Sequence, residues 1–371
     1  MTSSNNIPSS KVFDMKMIKI DKKDWTQGLD RSRKAYQLVG PVKRADEDLA
    51  GFHELADGEH PDLGAADTVL SAKTVVYPQS EVMFTYTTDK NSADCNLLKR
   101  PDTGYRPRAV IGIRPYDAAA ILMLKKNFDT PDYRDPYWCD AYEACTFVGL
   151  AIDAPLSTDF STSTGSGPFS EKGLDVLLVD MDDHFVAKVL TKKGEAYMQA
   201  AGWKTAADEK KASAKIEEKR KAAEEMIESS IRFDKIAGKS VLDLYNADFW
   251  EDVAFSCINC GTCTYVCPTC WCFDIQDESK GKTGVRYKNW DSCMYPLFSL
   301  HGSGHNPRST QTMRTRQRFM HKLKYFLDKY DDGIMCVGCG RCVRSCPVNI
   351  DIRKVCELMN NYGPDPDACA V

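Results

Sequence analysis

The chain has 371 residues, 43% of them hydrophobic and 27% charged, with a formal net charge of −4. That balance supports a folded core under an ordinary polar surface and excludes nucleic-acid binding, which calls for a dominant basic face. No run of 18 or more apolar residues occurs, and the N-terminus has no basic start leading into an apolar stretch, so a cytoplasmic chain with no direct membrane insertion is expected.

Residues 1–15 are polar and rich in Ser and Asn, which predicts a mobile N-terminus. Strands and short helices then alternate over 16–203. Thr74–Tyr77 reads as a strand ended by Pro78. Ala109–Ile113 reads as a buried strand, and Pro115 opens a helix through Ala118, Ile121, Leu122 and Leu124. Phe147–Ile152 is a second buried strand. Asp175–Val179 and Phe185–Leu190 flank Asp182-Asp183 as a hairpin. This stretch is therefore a mixed α/β domain, best read as a docking scaffold. Residues 204–232 carry opposite charges three and four apart in an Ala-rich background, the pattern of a solvated helix, so 204–240 reads as a charged connecting segment. The remainder, 241–371, is expected to be a mostly helical ferredoxin-like domain, giving an α+β chain overall.

Cysteine distribution sets the last region apart. Of sixteen cysteines, only Cys95, Cys139 and Cys145 precede residue 250. In an intracellular chain of this size such a density points to metal rather than disulfides. Two motifs stand out: Cys257-x-x-Cys260-x-x-Cys263-x-x-x-Cys267-Pro268 and Cys336-x-x-Cys339-x-x-Cys342-x-x-x-Cys346-Pro347, the second repeating the first at an offset of 79 residues. Two-residue gaps let three successive thiolates take three corners of a [4Fe–4S] cubane, with Gly261 and Gly340 where the backbone must pass close to it. The fourth cysteine, as in two-cluster ferredoxins, ligates the other cluster. Two [4Fe–4S] clusters follow, one on Cys257, Cys260, Cys263 and Cys346, the other on Cys336, Cys339, Cys342 and Cys267. A zinc site would instead pair Cys-x-x-Cys units across a longer loop. The 68 residues between the motifs imply inserted helices.

Three further cysteines, Cys270, Cys272 and Cys293, crowd the first motif. They are open to three readings: buried core thiols, ligands of a further metal centre, or thiols for redox or cluster repair. Between Arg308 and Lys324 lie Arg314, Arg316, Arg318 and Lys322 with no acidic residue, on a predicted helix whose apolar seam runs through Met313, Met320, Leu323, Leu327 and Tyr330. Its basic face is either solvated, or compensates cluster charge, or docks an acidic partner. Arg341 and Arg344 inside the second motif would also offset cluster charge.

The stretch from Cys257 to Ile352 resembles the dicluster β-subunit family of anaerobic oxidoreductases, which includes sulfhydrogenase β subunits, the A subunit of anaerobic sulfite reductase and the dicluster subunit of flavin oxidoreductases that partner heterodisulfide reductase. The resemblance rests on both cluster motifs and on Pro268-Thr-Cys270-Trp-Cys272-Phe-Asp274, Asn289-Trp-Asp-Ser-Cys293-Met, Gly304-His-Asn-Pro-Arg308 and Cys346-Pro-Val-Asn-Ile-Asp351. It extends more weakly through Tyr77-Pro78-Gln79-Ser80-Glu81, Ile113-Arg114-Pro115-Tyr116-Asp117-Ala118 and Gly165-Ser-Gly167-Pro168. Relatives often carry cysteines where this chain has Tyr116, Asp159 and Ser161, so a further centre there is not expected. The resemblance implies one partner binding flavin and NAD(P)H and another carrying out terminal chemistry: a hydrogenase, a heterodisulfide reductase-like subunit or a sulfite reductase subunit. Consistent with a separate flavin subunit, no Gly-x-Gly-x-x-Gly turn joins a strand to a helix; Thr164-Gly165-Ser166-Gly167 lacks the third glycine. The expected role is a one-electron relay with no catalytic residue. Two rivals are an enzyme reducing a small substrate at Cys270, Cys272 or Cys293, and an iron–sulfur sensor or assembly factor.

Overall fold

A mixed seven-stranded sheet organises the N-terminal half of the chain. The computed structural model describes residues 16–65 and 68–363, so the expected mobile segment 1–15 and Cys369 lie outside the described residues. The strands of this half are β1 (Lys16–Asp21), β2 (Gln37–Val42), β3 (Gly51–Glu54), β4 (Ser80–Thr87), β5 (Arg108–Ile113), β6 (Cys145–Leu150), β7 (Val176–Asp180) and β8 (His184–Val189). All but β4 join one sheet in the order β1-β8-β7-β6-β5-β2-β3. Strands β2, β5, β6 and β7 are mutually parallel, and antiparallel strands close both edges.

The parallel centre is apolar along its length because helices cover both faces. Val110, Leu177 and Val179 point to one side, where they meet Ala118, Ile121, Leu124 and Phe128 of the helix Pro115–Phe128. Ala109, Ile111, Val176 and Leu178 point to the other and pack on the helices Lys22–Ser32 and Lys192–Ala201. There the Trp25 and Trp203 rings stack at 5.0 Å. The period of two along each strand thus builds two cores. The charged helix spans Glu209–Glu225, with Asp208 accepting from the Lys211 N–H as its N-cap. It is not solvated all round: Ala212, Ile216 and Ala223 are buried in the first core.

Two expectations need correction. Thr74–Tyr77 is not a strand; Lys73–Val76 forms one helical turn, with Lys73, Val75 and Val76 buried. The β-branched run is overridden by tertiary packing, which draws Lys73 inward. The 68-residue spacer is not only helical. It opens with the antiparallel hairpin of β9 (Phe273–Lys280) and β10 (Thr283–Trp290). Strand β10 also pairs with β4, from Thr283 opposite Thr87 to Asn289 opposite Ser80. This second sheet ties the cysteine-rich region to the N-terminal half, and Lys288 bridges buried Glu81 at 2.9 Å across it.

Helical structure resumes at Gln311–Met320, continues through a π turn at His321–Tyr325 and ends with Phe326–Tyr330. Its apolar seam, Phe319, Met320, Leu323 and Leu327, packs on Trp250 and on Ile352, Val355 and Met359 of the helix Ile352–Asn361. The chain is therefore α+β. Among the described residues no helix is long and apolar enough to cross a membrane.

Candidate metal centres

The two motif loops are conformational copies. Asn259 and Gly338 both adopt positive φ (54° and 70°), as do Gly261 and Gly340 (76° and 69°), so equivalent positions turn the backbone in the same way. Each of the latter glycines then starts a single helical turn, Thr262–Tyr265 or Arg341–Arg344. A side chain at either would also collide: a Cβ on Gly261 would lie 2.8 Å from the Tyr295 ring, and one on Gly340 would lie 2.4 Å from the Thr158 carbonyl.

At the first motif Cys257, Cys260 and Cys263 line one cavity together with Cys346 from the end of the second motif. Thr315, Arg318 and Phe319 of the basic helix close its inner wall. The Asn259 N–H donates to Cys257 Sγ at 3.4 Å and the Ile350 N–H donates to Cys346 Sγ at 3.2 Å, so a backbone donor is aimed at a sulfur from each motif. Burial pushes the Cys263 thiol up to about 11.

At the second motif Cys267 takes the complementary position. Its charge is felt by Cys336, Cys339 and Cys342 alike. Burial raises all three, Cys336 to about 12. Cys267 itself is held well below the usual thiol range by a hydrogen bond from Cys270 and by the Lys322 ammonium, whose Nζ lies 3.2 Å from its sulfur. Thiols raised by burial ionise only against a compensating positive group, and ligation to iron supplies one while releasing the protons.

Buried cations test whether an anionic group fits here. Arg318, Lys322 and Lys73 are 4%, 2% and 3% exposed, and none forms an ion pair with a carboxylate among the described residues. Arg318 Nε is buried without a hydrogen-bond partner. Unpaired buried charge is costly, so these side chains call for negative charge at the sulfurs they face. Burial works against the charge of Arg318, yet Cys263, Cys342, Cys270 and Cys267 more than offset it. For Lys322 burial is likewise outweighed, chiefly by Cys267. Thiolate-bound iron–sulfur groups, being anionic, fit both sites. At Arg318 and Lys322 the basic helix therefore turns its charge inward rather than to solvent.

Arg341 does more than offset charge at Cys339, whose thiol it draws down against burial. Its guanidinium forms a buried bidentate pair with Asp117, at 2.6 and 2.8 Å, and also donates to Thr68. It thereby pins the second motif to the N-terminal half of the chain. Arg344 adds bonds to Thr158 and to the Cys339 carbonyl. Tyr116, Asp159 and Ser161 lie at the same junction: Tyr116 packs with Cys339, and the Asp159 carboxylate accepts from the Ser161 N–H beside Gly338.

The third group of cysteines is also brought together. Cys270 contacts Cys267, and Cys272 contacts Cys293. Lys73 Nζ caps this corner, donating to the carbonyls of Cys267 and Cys270 at 3.0 and 2.9 Å and lying 3.9 Å from the Trp290 ring centre. Burial lowers the Lys73 pKa to about 8. Among the described residues no three His, Cys, Asp or Glu side chains converge to hold a single metal ion. Lys73 and Asp117 were missed from the sequence; the only signal was that Asp117 falls in one of the segments on which the weaker resemblance rests.

Residues 256–350 match the 4Fe-4S dicluster domain family. Across 348 residues, 92% of this chain and 98% of the relative, the sequence is 27% identical to the sulfhydrogenase 2 subunit beta of Pyrococcus furiosus. No solved structure matches significantly. A [4Fe–4S] dicluster domain thus spans both motifs, and likeness to a β subunit runs along nearly the whole length, which together support an iron–sulfur electron-transfer subunit of the dicluster β-subunit kind.

Proposed function

We propose that this chain is the relay subunit of a cytoplasmic, anaerobic oxidoreductase complex. It passes single electrons between a flavin- and NAD(P)H-binding subunit and a terminal partner: a hydrogenase, a heterodisulfide reductase-like subunit or a sulfite reductase subunit. Cys257, Cys260, Cys263 and Cys346 hold one [4Fe–4S] cluster; Cys336, Cys339, Cys342 and Cys267 hold the other. The single observation that supports this reading is the crossed placement of the fourth cysteines. Cys346 lines the cavity of the first motif, and Cys267 has the second motif's three cysteines as its charged neighbours.

Bound clusters would supply one-electron transfer at potentials set by burial, hydrogen bonds and nearby charge. The protein's own residues do the rest. Asn259 and Ile350 steady sulfur with backbone N–H groups, Arg318 and Lys322 offset negative charge, and the Asp117–Arg341 pair fixes the second loop. Residues 241–371 act as the cluster domain, 204–240 as the connector and 16–203 as the docking scaffold. The hydrogenase partner is favoured by the likeness to a sulfhydrogenase subunit.

Mild anaerobic purification of the native protein, with mass spectrometry of every co-purifying chain and a count of iron and flavin, tests the assignment. Recovery with a flavin subunit and a terminal reductase or hydrogenase is expected. Recovery alone, with substrate reduction by the isolated chain, would overturn it.

A further inference from the structure

Cys272 and Cys293 are set apart from the core thiols by what their sulfurs touch. Cys139, Cys145 and Cys356 donate to backbone carbonyls, of Phe128, Ala141 and Arg232 respectively, as inert core thiols do. Cys272 sulfur instead lies against the thiol and backbone N–H of Cys293. The fold enforces this meeting. The β9–β10 ladder ends with Phe273 opposite Trp290 and is extended by a bond from the Asp291 N–H to the Cys272 carbonyl. One residue further on, Ser292 and Thr264 are joined at 2.8 Å, anchoring the loop that presents Cys293.

The two sulfurs differ in access. Cys272 is half-buried and lines a narrow pocket with Lys73, Tyr77, Tyr265, Trp290 and Asp291, whereas Cys293 is buried behind it and does not line the pocket. One accessible and one shielded thiol in contact is the arrangement of an attacking and a resolving cysteine.

We propose that Cys272 and Cys293 form a redox-active dithiol, Cys272 attacking and Cys293 resolving, that reduces a low-molecular-weight disulfide. The Cys272 thiolate attacks one sulfur of the disulfide, forming a mixed disulfide and releasing the first thiolate, which takes a proton from water. Cys293 then attacks Cys272 Sγ, a bond forms between the two protein sulfurs, and the second thiol leaves with the Cys293 proton. The dithiol is thereby oxidised by two electrons and the disulfide reduced by two. Regeneration takes two electrons and two protons; the electrons come singly from the chain's electron-transfer function, and only this step rests on the proposed relay. In support, the hydrogen bond from Cys293 lowers the Cys272 pKa to about 7, so a large fraction is thiolate at neutral pH.

The test uses the anaerobically purified, cluster-loaded chain, treated with bis(2-hydroxyethyl) disulfide, quenched in acid and mapped by mass spectrometry, with iron content and EPR spectra followed in parallel. The expected product has lost two hydrogens and carries a Cys272–Cys293 link, with iron and both cluster signals unchanged. Cys293→Ser should trap half of the probe on Cys272, and Cys272→Ser should abolish the reaction. Unmodified Cys272 and Cys293 in a chain with intact clusters would overturn the dithiol while leaving the relay standing. Loss of iron in either serine variant would overturn it in favour of a metal-ligating role. Two clusters lost in the untreated wild type would count against the relay instead.

Discussion

The two cluster motifs share spacing and turn conformation, and each places its fourth cysteine beside the other's first three, yet they sit in different surroundings. The first faces outward: Cys260 is exposed, Ile258 inside the motif is 62% exposed and neighbouring Phe255 is 89% exposed. The second is sealed. Cys339 and Arg341 are buried, and Gly338 and Gly340 press against the backbone of residues 158–161 from the N-terminal domain. Local sequence therefore specifies how a loop presents sulfur, while remote segments specify the dielectric and charge around it. Two sites with identical ligand sets should behave differently, the outer one as an electron port and the inner one as a shielded station.

The sharpest way to break the comparison is to remove the crossed cysteines. Cys346→Ala should reproduce the Mössbauer and EPR spectra of Cys260→Ala, and Cys267→Ala should reproduce those of Cys339→Ala, each losing about half of the iron. Spectra that pair Cys346 with Cys339 instead would place each fourth cysteine with its own motif. Next in size is Asp117→Asn, which leaves Arg341 buried opposite a neutral amide and should cost about 3–5 kcal/mol of stability in urea unfolding, the range for breaking a buried ion pair. The second cluster should become labile while the first survives. An unchanged midpoint would show that the remaining partners of Arg341 suffice to hold it. Iron removal sharpens the contrast further. Under a chelator, the first-motif signal should decay before the second, because Cys260 offers a solvent-facing route that Cys339 does not. Equal rates would remove the distinction between port and station.

How far these differences could be read beforehand depends on the range of each interaction. The dicluster region was legible because cubane ligation is encoded in gaps of two and three residues between cysteines, and the family match covers both motifs. The buried strands Arg108–Ile113 and Cys145–Leu150 were legible as continuous apolar runs. The hairpin of β9 and β10 was not, since β9 is exposed along its whole length and shows no apolar alternation. Lys73 and Asp117 were illegible for a different reason. Their partners, Cys267 with Cys270 and Arg341, lie some two hundred residues away, and nothing local distinguishes a lysine drawn into the core from one in solvent. The basic helix lay between these cases: its charge was plain, and only packing decided that Arg318 and Lys322 face the cysteines.

Lys322 gives the smallest expected effect and the finest test of that decision. Its ammonium touches Cys267 Sγ at 3.2 Å and Thr269 Oγ1 at 2.8 Å from within a packed helix. Met is nearly isosteric and apolar, and Thr269 keeps its bond to the Met335 carbonyl, so Lys322→Met should fold. Removing one positive charge disfavours the more negative, reduced form of the group that Cys267 helps to hold. The second cluster's potential should therefore fall, by something on the order of 100 mV for one charge at close range in a protein interior. The first cluster should hardly move, since its nearer cation is Arg318. A redox titration followed by EPR separates the two signals. A fall confined to the second cluster would establish Lys322 as the charge that sets its potential, whereas equal shifts would mean that both sites share one electrostatic pocket and that the contrast between them lies in exposure alone.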